Sequence, residues 1–149
     1  MKKAIWILLA VLIIIQFINF RLPETAPAGN KDVAVAENMP AEVRMILQNA
    51  CYDCHSMETT YPWYSYVAPV RWLIESDIHE GRHHVNFSNW SDYTDKAKVK
   101  KLDDIHEEVE KGDMPPSNFK LMHAGARLSD ADRQKIISWA DSTVNKYLH

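Results

Sequence analysis

Residues 51–55 read Cys-Tyr-Asp-Cys-His, and Cys51 and Cys54 are the only cysteines among 149 residues. Two thiols three positions apart with an imidazole directly after the second are the C-x-x-C-H spacing of c-type haem attachment, in which each thiol forms a thioether to the macrocycle and the histidine ligates iron. A chain that must bring Cys51, Cys54 and His55 to one flat ring has to fold around that ring. The expected cofactor is therefore one haem c, covalent through Cys51 and Cys54, with His55 on the metal.

Three other readings compete for the pair. Thioredoxin-like chemistry places C-x-x-C at the start of a helix that comes after a strand, which lowers the first thiol's pKa; here a helical pattern precedes the motif and no strand pattern does. Structural zinc takes four ligands at paired spacings; Cys51, Cys54 and His55 lack a convincing second pair, although His79, His83 and His84 keep that reading open. A plain disulfide across so short a loop contributes little through loop entropy.

The formal charge of −3 and the absence of a basic stripe with interleaved aromatics offer nucleic acid no footprint. Hydrophobic residues make up 46% and charged residues 25%, which suits one folded domain with its own core.

The N-terminus reads Met-Lys-Lys, then an apolar run from Ala4 to Ile15, then Gln16-Phe17-Ile18-Asn19-Phe20. Lysines ahead of such a run give the asymmetry of a signal anchor with the rest of the chain exported. About 17 residues at 1.5 Å each reach roughly 25 Å, at the short end of a bilayer core, so Gln16 and Asn19 are expected near an interface. A cleaved signal peptide is the runner-up. Residues 1–20 are thus expected as a signal anchor, residues 21–38 as a flexible linker of mixed small and polar residues, and residues 39–149 as the haem-binding domain.

Within that domain the apolar positions recur at helical spacing. Pro40 opens a helix through Val43, Ile46, Leu47 and Ala50 that leads into Cys51. Residues 61–69, with Tyr61, Trp63, Tyr64 and Tyr66 between prolines, read as an ordered aromatic wall beside the cofactor. Pro69 opens a second helix with Gly81 as its stop, and residues 86–93 read as loop. Thr94 caps a third helix that ends at Gly112, where Glu107 and Glu108 are more simply a solvated face than a metal pair. Ser129 and Asp132 open the last helix as a capping box. Nothing alternates long enough for a sheet, so the fold is expected all-α.

With His55 on one face of the iron, the other axial position is open to Met114, on the turn Gly112-Asp113-Met114-Pro115-Pro116, with His83, His84, His106 and His123 as alternatives. Methionine with histidine raises the reduction potential relative to two histidines and fills both axial sites.

Several blocks together resemble the bacterial haem-binding domain family related to c-type cytochromes. They are Asn49-Ala50-Cys51-Tyr52-Asp53-Cys54-His55-Ser56, Tyr61-Pro62-Trp63-Tyr64-Ser65, Ala68-Pro69-Val70 with Trp72-Leu73-Ile74, Glu80-Gly81-Arg82, Asn86-Phe87-Ser88 with Trp90, Gly112-Asp113-Met114-Pro115-Pro116, and His123-Ala124-Gly125-Ala126 with Leu128-Ser129 and Trp139. The resemblance implies a cytochrome c-like small helical domain around one haem, His55 as proximal ligand and Met114 as distal ligand, with His123 as its leading substitute. It also implies that Val43, Ile46 and Leu47 pack against Ile136, Trp139 and Ala140. Cofactor contacts are expected from Cys51, Cys54, His55, Met114, Tyr61 and Trp63.

The function expected from these features is a single-haem electron-transfer module at the outer, periplasmic face of the cytoplasmic membrane. Its expected partners are a redox protein or a membrane respiratory component, with the membrane engaged through the N-terminal helix. A haem-based sensor or haem-sequestering module with a displaceable distal ligand is the alternative. Peroxide-reducing enzymes usually need a second haem as electron source, and with one attachment motif a carrier is expected rather than a catalyst.

Overall fold

The structure is a computed structural model that describes residues 2–18 and 21–149. Among the described residues every regular element is helical. The α-helices are α1 (Lys2–Ile14), α2 (Val33–Ala36), α3 (Ala41–Ala50), α4 (Tyr52–His55), α5 (Val70–His84), α6 (Asp95–Lys111), α7 (Ser117–Met122) and α8 (Asp130–Leu148). Short 3-10 turns occupy Ile15–Phe17, Trp63–Tyr66, Phe87–Asp92 and Ala124–Ala126.

Local chemistry sets the ends of the long helices. Thr94 accepts from the Ala97 amide at the start of α6, and Gly112 closes that helix in the left-handed region at φ 81°, where a side chain would be strained. At the start of α8 the Asp132 amide donates to Ser129 Oγ at 3.2 Å while the Ser129 amide donates to Asp132 Oδ2 at 3.0 Å. α6 lies along α8, and α3 packs against α8. Val43 and Leu47 share one apolar cluster with Leu102, Ile136, Trp139 and Ala140, and Ile46 lies against its edge. Each large aliphatic side chain buried here stabilises the fold by about 1.5–3 kcal/mol.

The core reaches further toward the N-terminus than Met39. Asp32 and Val33 are fully buried, and Asp32 Oδ1 accepts from the Ala34 amide at 2.9 Å and from the Tyr52 hydroxyl at 3.0 Å. Glu37 accepts from the Trp90 indole at 2.7 Å and from the Tyr147 hydroxyl. Residues 32–38 carry too little periodicity to betray this, because they are held by polar bonds to distant side chains.

The expected membrane anchor is overturned. α1 spans 13 residues, about 20 Å of helix, against a bilayer core of roughly 30 Å. Among the described residues no helix is long and apolar enough to cross a membrane. The cause lies at Gln16, whose side chain donates to Leu12 O at 2.8 Å and to Ala68 O at 3.1 Å and accepts from the Ala68 amide at 2.9 Å. Arg71 donates to the carbonyls of Ile15, Gln16 and Ile18, so the backbone leaves the α-helical ladder there. The interface position expected for Asn19 lies outside the described residues. With the anchor go the placement at the outer face of the cytoplasmic membrane, the membrane as a partner through the N-terminal helix, and the anchored electron-transfer module built on them.

Candidate functional site

Cys51 closes α3 and opens α4, its amide donating to Leu47 O at 2.8 Å. A backbone of φ −130° and ψ −37° at this residue turns the chain out of α3, and one helical turn then carries Tyr52, Cys54 and His55. That turn is closed by His55 N to Cys51 O at 2.9 Å and Ser56 N to Tyr52 O at 3.0 Å. Polar side chains fix the loop beyond it: Ser56 Oγ donates to Tyr52 O at 2.8 Å and accepts from the Glu58 amide, while Thr59 Oγ1 donates to Asp53 O at 2.6 Å. Tyr52 is buried, with its ring 5.2 Å from that of Phe87, and the His55 ring stands 6.0 Å from the same phenylalanine.

α5 supplies the motif's other wall. Nδ1 of His55 lies 2.9 Å from Gly81 O and 3.2 Å from Val85 O. Both partners are carbonyl oxygens, which only accept, so Nδ1 carries the proton and Nε2 keeps its lone pair. Burial holds the imidazole below its ordinary pKa, partly opposed by these two bonds, and the ring is neutral. Gly81 permits the close approach: a Cβ there would stand 2.7 Å from Cys54 O and 3.2 Å from Cys54 Cβ. It does not stop the helix, which runs on to His84. Arg82, next in the chain, staples the loop after the motif, donating to Ser56 O at 2.8 Å, Glu24 O at 2.9 Å and Thr59 Oγ1 at 3.0 Å.

The two thiols correct the expected covalent haem c. Both are free, and burial pushes Cys51 up to about 12, with the Cys54 charge adding to the effect. Burial pushes Cys54 to about 12 as well, with Asp77 and Asp53 adding and Arg82 opposing. Such thiols are protonated and weakly nucleophilic. Among the described residues no group of three or more His, Cys, Asp or Glu side chains is gathered that could hold a metal ion. Neither the Cys-based attachment nor a metal cluster built on it therefore stands.

The remaining expected site residues are spread over neighbouring elements. Met114 is partly buried on the turn after α6, its amide donating to Glu108 O at 3.2 Å. Tyr61 donates to Pro23 O at 2.7 Å, while Trp63 is 77% exposed with its ring edge-on to Tyr64. His123 is committed on both nitrogens, to Phe119 O at 3.1 Å through Nδ1 and to the Tyr64 hydroxyl at 3.2 Å through Nε2, and it stacks on Phe119 at 4.0 Å between centroids. His106 pairs with Asp141 at 2.7 Å on the surface of the α6–α8 pair. His83 and His84 are exposed on α5.

Gly81, Val85 and Arg82 contribute to the site in roles that local spacing does not assign. The carbonyls of Gly81 and Val85 have no side-chain signature. The missing side chain of Gly81 is itself a signal, since a glycine inside a helical pattern marks a close backbone approach as readily as an end, whereas Arg82 has none beyond its place next to it.

The donor set fits haem. One neutral imidazole has its Nδ1 proton fixed by backbone and its Nε2 available, as in histidine ligands whose second ring nitrogen is hydrogen-bonded to protein. No curated protein and no solved structure matches the chain. A family model described as a haem-binding domain matches residues 10–142, which is most of the sequence. The chain belongs to the haem-binding domain family.

Proposed function

We propose that this protein is a haem-binding module related to c-type cytochromes, in which Nε2 of His55 and the thioether of Met114 would hold the iron. The observation that carries the reading is the His55 Nδ1 bond to Gly81 O, which fixes the tautomer and the ring before any ligand arrives. The fixed ring contributes affinity because its orientation costs no further side-chain entropy on binding. Burial keeps it a free base, the form that ligates metal. Met114 is preferred to His123 because both nitrogens of His123 already have partners, whereas a thioether is only a weak acceptor.

Haem, when bound, would supply a one-electron centre. With His55 and Met114 both engaged in holding the iron, the proposed role would be haem binding rather than catalysis. Cys51 and Cys54 flank the site as desolvated thiols and contribute apolar contact. The test is haem content of the purified chain, with optical titration of any haem-free fraction. One haem per chain is expected, and a folded chain that neither carries nor takes up haem overturns the reading.

A further inference from the structure

We propose that His79 and His83 form a two-imidazole site for a divalent transition-metal ion, with zinc as the probe, on the outer face of α5. Both residues lie inside one unbroken helix, Val70–His84, and both are exposed. Residues four apart on a helix are neighbours with Cβ atoms about 5–6 Å apart, and two histidines at that spacing on one face are a recurring metal-binding arrangement. Imidazole nitrogen is a ligand for zinc and its first-row neighbours.

The adjacent side chains leave this pair available. His84 is taken up by Glu80, at 3.1 Å from Nε2 to Oε1, whereas among the described residues neither His79 nor His83 makes a hydrogen bond or ion pair. Among the same residues, the one ring contact at either is the edge-on approach of His84 to His83, 5.9 Å between centroids. No third His, Cys, Asp or Glu among the described residues is gathered with them, so the site has two protein ligands and water completes the coordination. At about 100° per residue Gly81 points away from both, which agrees with its contact with Cys54 on the buried side. A metal ion at this pair would tie together the helical turn whose inner face holds the carbonyl that orients His55. The metal site itself does not depend on haem being bound.

Zinc titration by calorimetry on the full chain, with the metal alone as probe, tests it. Wild type is expected to bind zinc. His79→Ala and His83→Ala are each expected to weaken that binding by an order of magnitude or more, while His84→Ala leaves it near wild type. Helical circular dichroism confirms that the exposed-site variants are folded. Zinc binding that survives in the folded His79→Ala, His83→Ala double variant, or no binding by wild type, overturns the proposal.

Discussion

Gly81 and Cys54 meet backbone to backbone: the position a Cβ would take on Gly81 lies 2.7 Å from the Cys54 carbonyl oxygen. Backbone at that distance cannot swing aside as the end of a flexible side chain can, so one helix has to move. The Gly81 carbonyl, on the same turn, accepts the hydrogen bond that His55 Nδ1 donates. Packing of α5 on α4 and orientation of the histidine are thus one constraint.

Gly81→Ala separates two opposing effects. Alanine is favoured over glycine within a helix by about 1 kcal/mol, whereas overpacking a close contact costs about 1–3 kcal/mol. The overpacking is expected to win, with a lower urea midpoint and weaker haem uptake than wild type. A variant as stable as wild type with unchanged haem uptake would show that the two backbones are not in contact.

Arg82→Ala removes three donors to Ser56, Glu24 and Thr59 at once. Bonds from a charged donor to buried acceptors are worth about 1.5–3 kcal/mol each and do not add fully, and part of this set is exposed, so a loss of about 2–3 kcal/mol is expected. Hydrogen exchange should speed up at residues 57–60, where the Met57 amide bonds to Ser88 Oγ and the Thr60 amide to Asp53. Unchanged exchange there would mean the loop is held by those bonds without the arginine.

The buried histidine gives the haem-free chain a signed pH dependence. His55 titrates below 6.5 when folded, and near 6.5 when unfolded. Between those values the unfolded chain binds more protons, so the unfolding free energy rises with pH. The contribution is fully present above about pH 6.5 and is lost as pH falls toward the folded value. Glu58, raised by burial, works in the opposite sense around its ordinary 4.5. Denaturation midpoints between about pH 5 and 8 should therefore fall on acidification in wild type and fall less in His55→Gln. Equal slopes would place the effect on another group.

Met114 and His123 are told apart optically. The oxidised, haem-loaded wild type is expected to show the weak near-infrared band of methionine-ligated iron, lost in Met114→Ala and kept in His123→Ala. The reverse pattern would hand the distal position to His123, whose release from Tyr64 and Phe119 would then be part of haem binding.

The motif, the helical class and the caps at Thr94, Gly112 and Ser129 are legible in the sequence because each rests on local spacing. Asp32, Glu37 and Gly81 are not, since their roles lie in partners 20, 53 and 27 positions away at Tyr52, Trp90 and Cys54. The apolar N-terminal run misled for a related reason: the residues that end α1 as a helix, Gln16 and Arg71, act through a contact more than 50 positions apart in the chain. Thiol character escaped in the same way, because C-x-x-C-H states which residues are present and not how deeply the fold desolvates them.

His55→Gly with and without added imidazole tests axial ligation by this histidine most directly, with helical circular dichroism to confirm folding. The folded variant is expected to take up haem weakly and with an altered Soret band, and free imidazole, entering the vacated space below the Gly81 and Val85 carbonyls, is expected to restore uptake and spectrum. A folded His55→Gly chain that binds haem with the wild-type spectrum in the absence of imidazole would show that His55 is not the ligand.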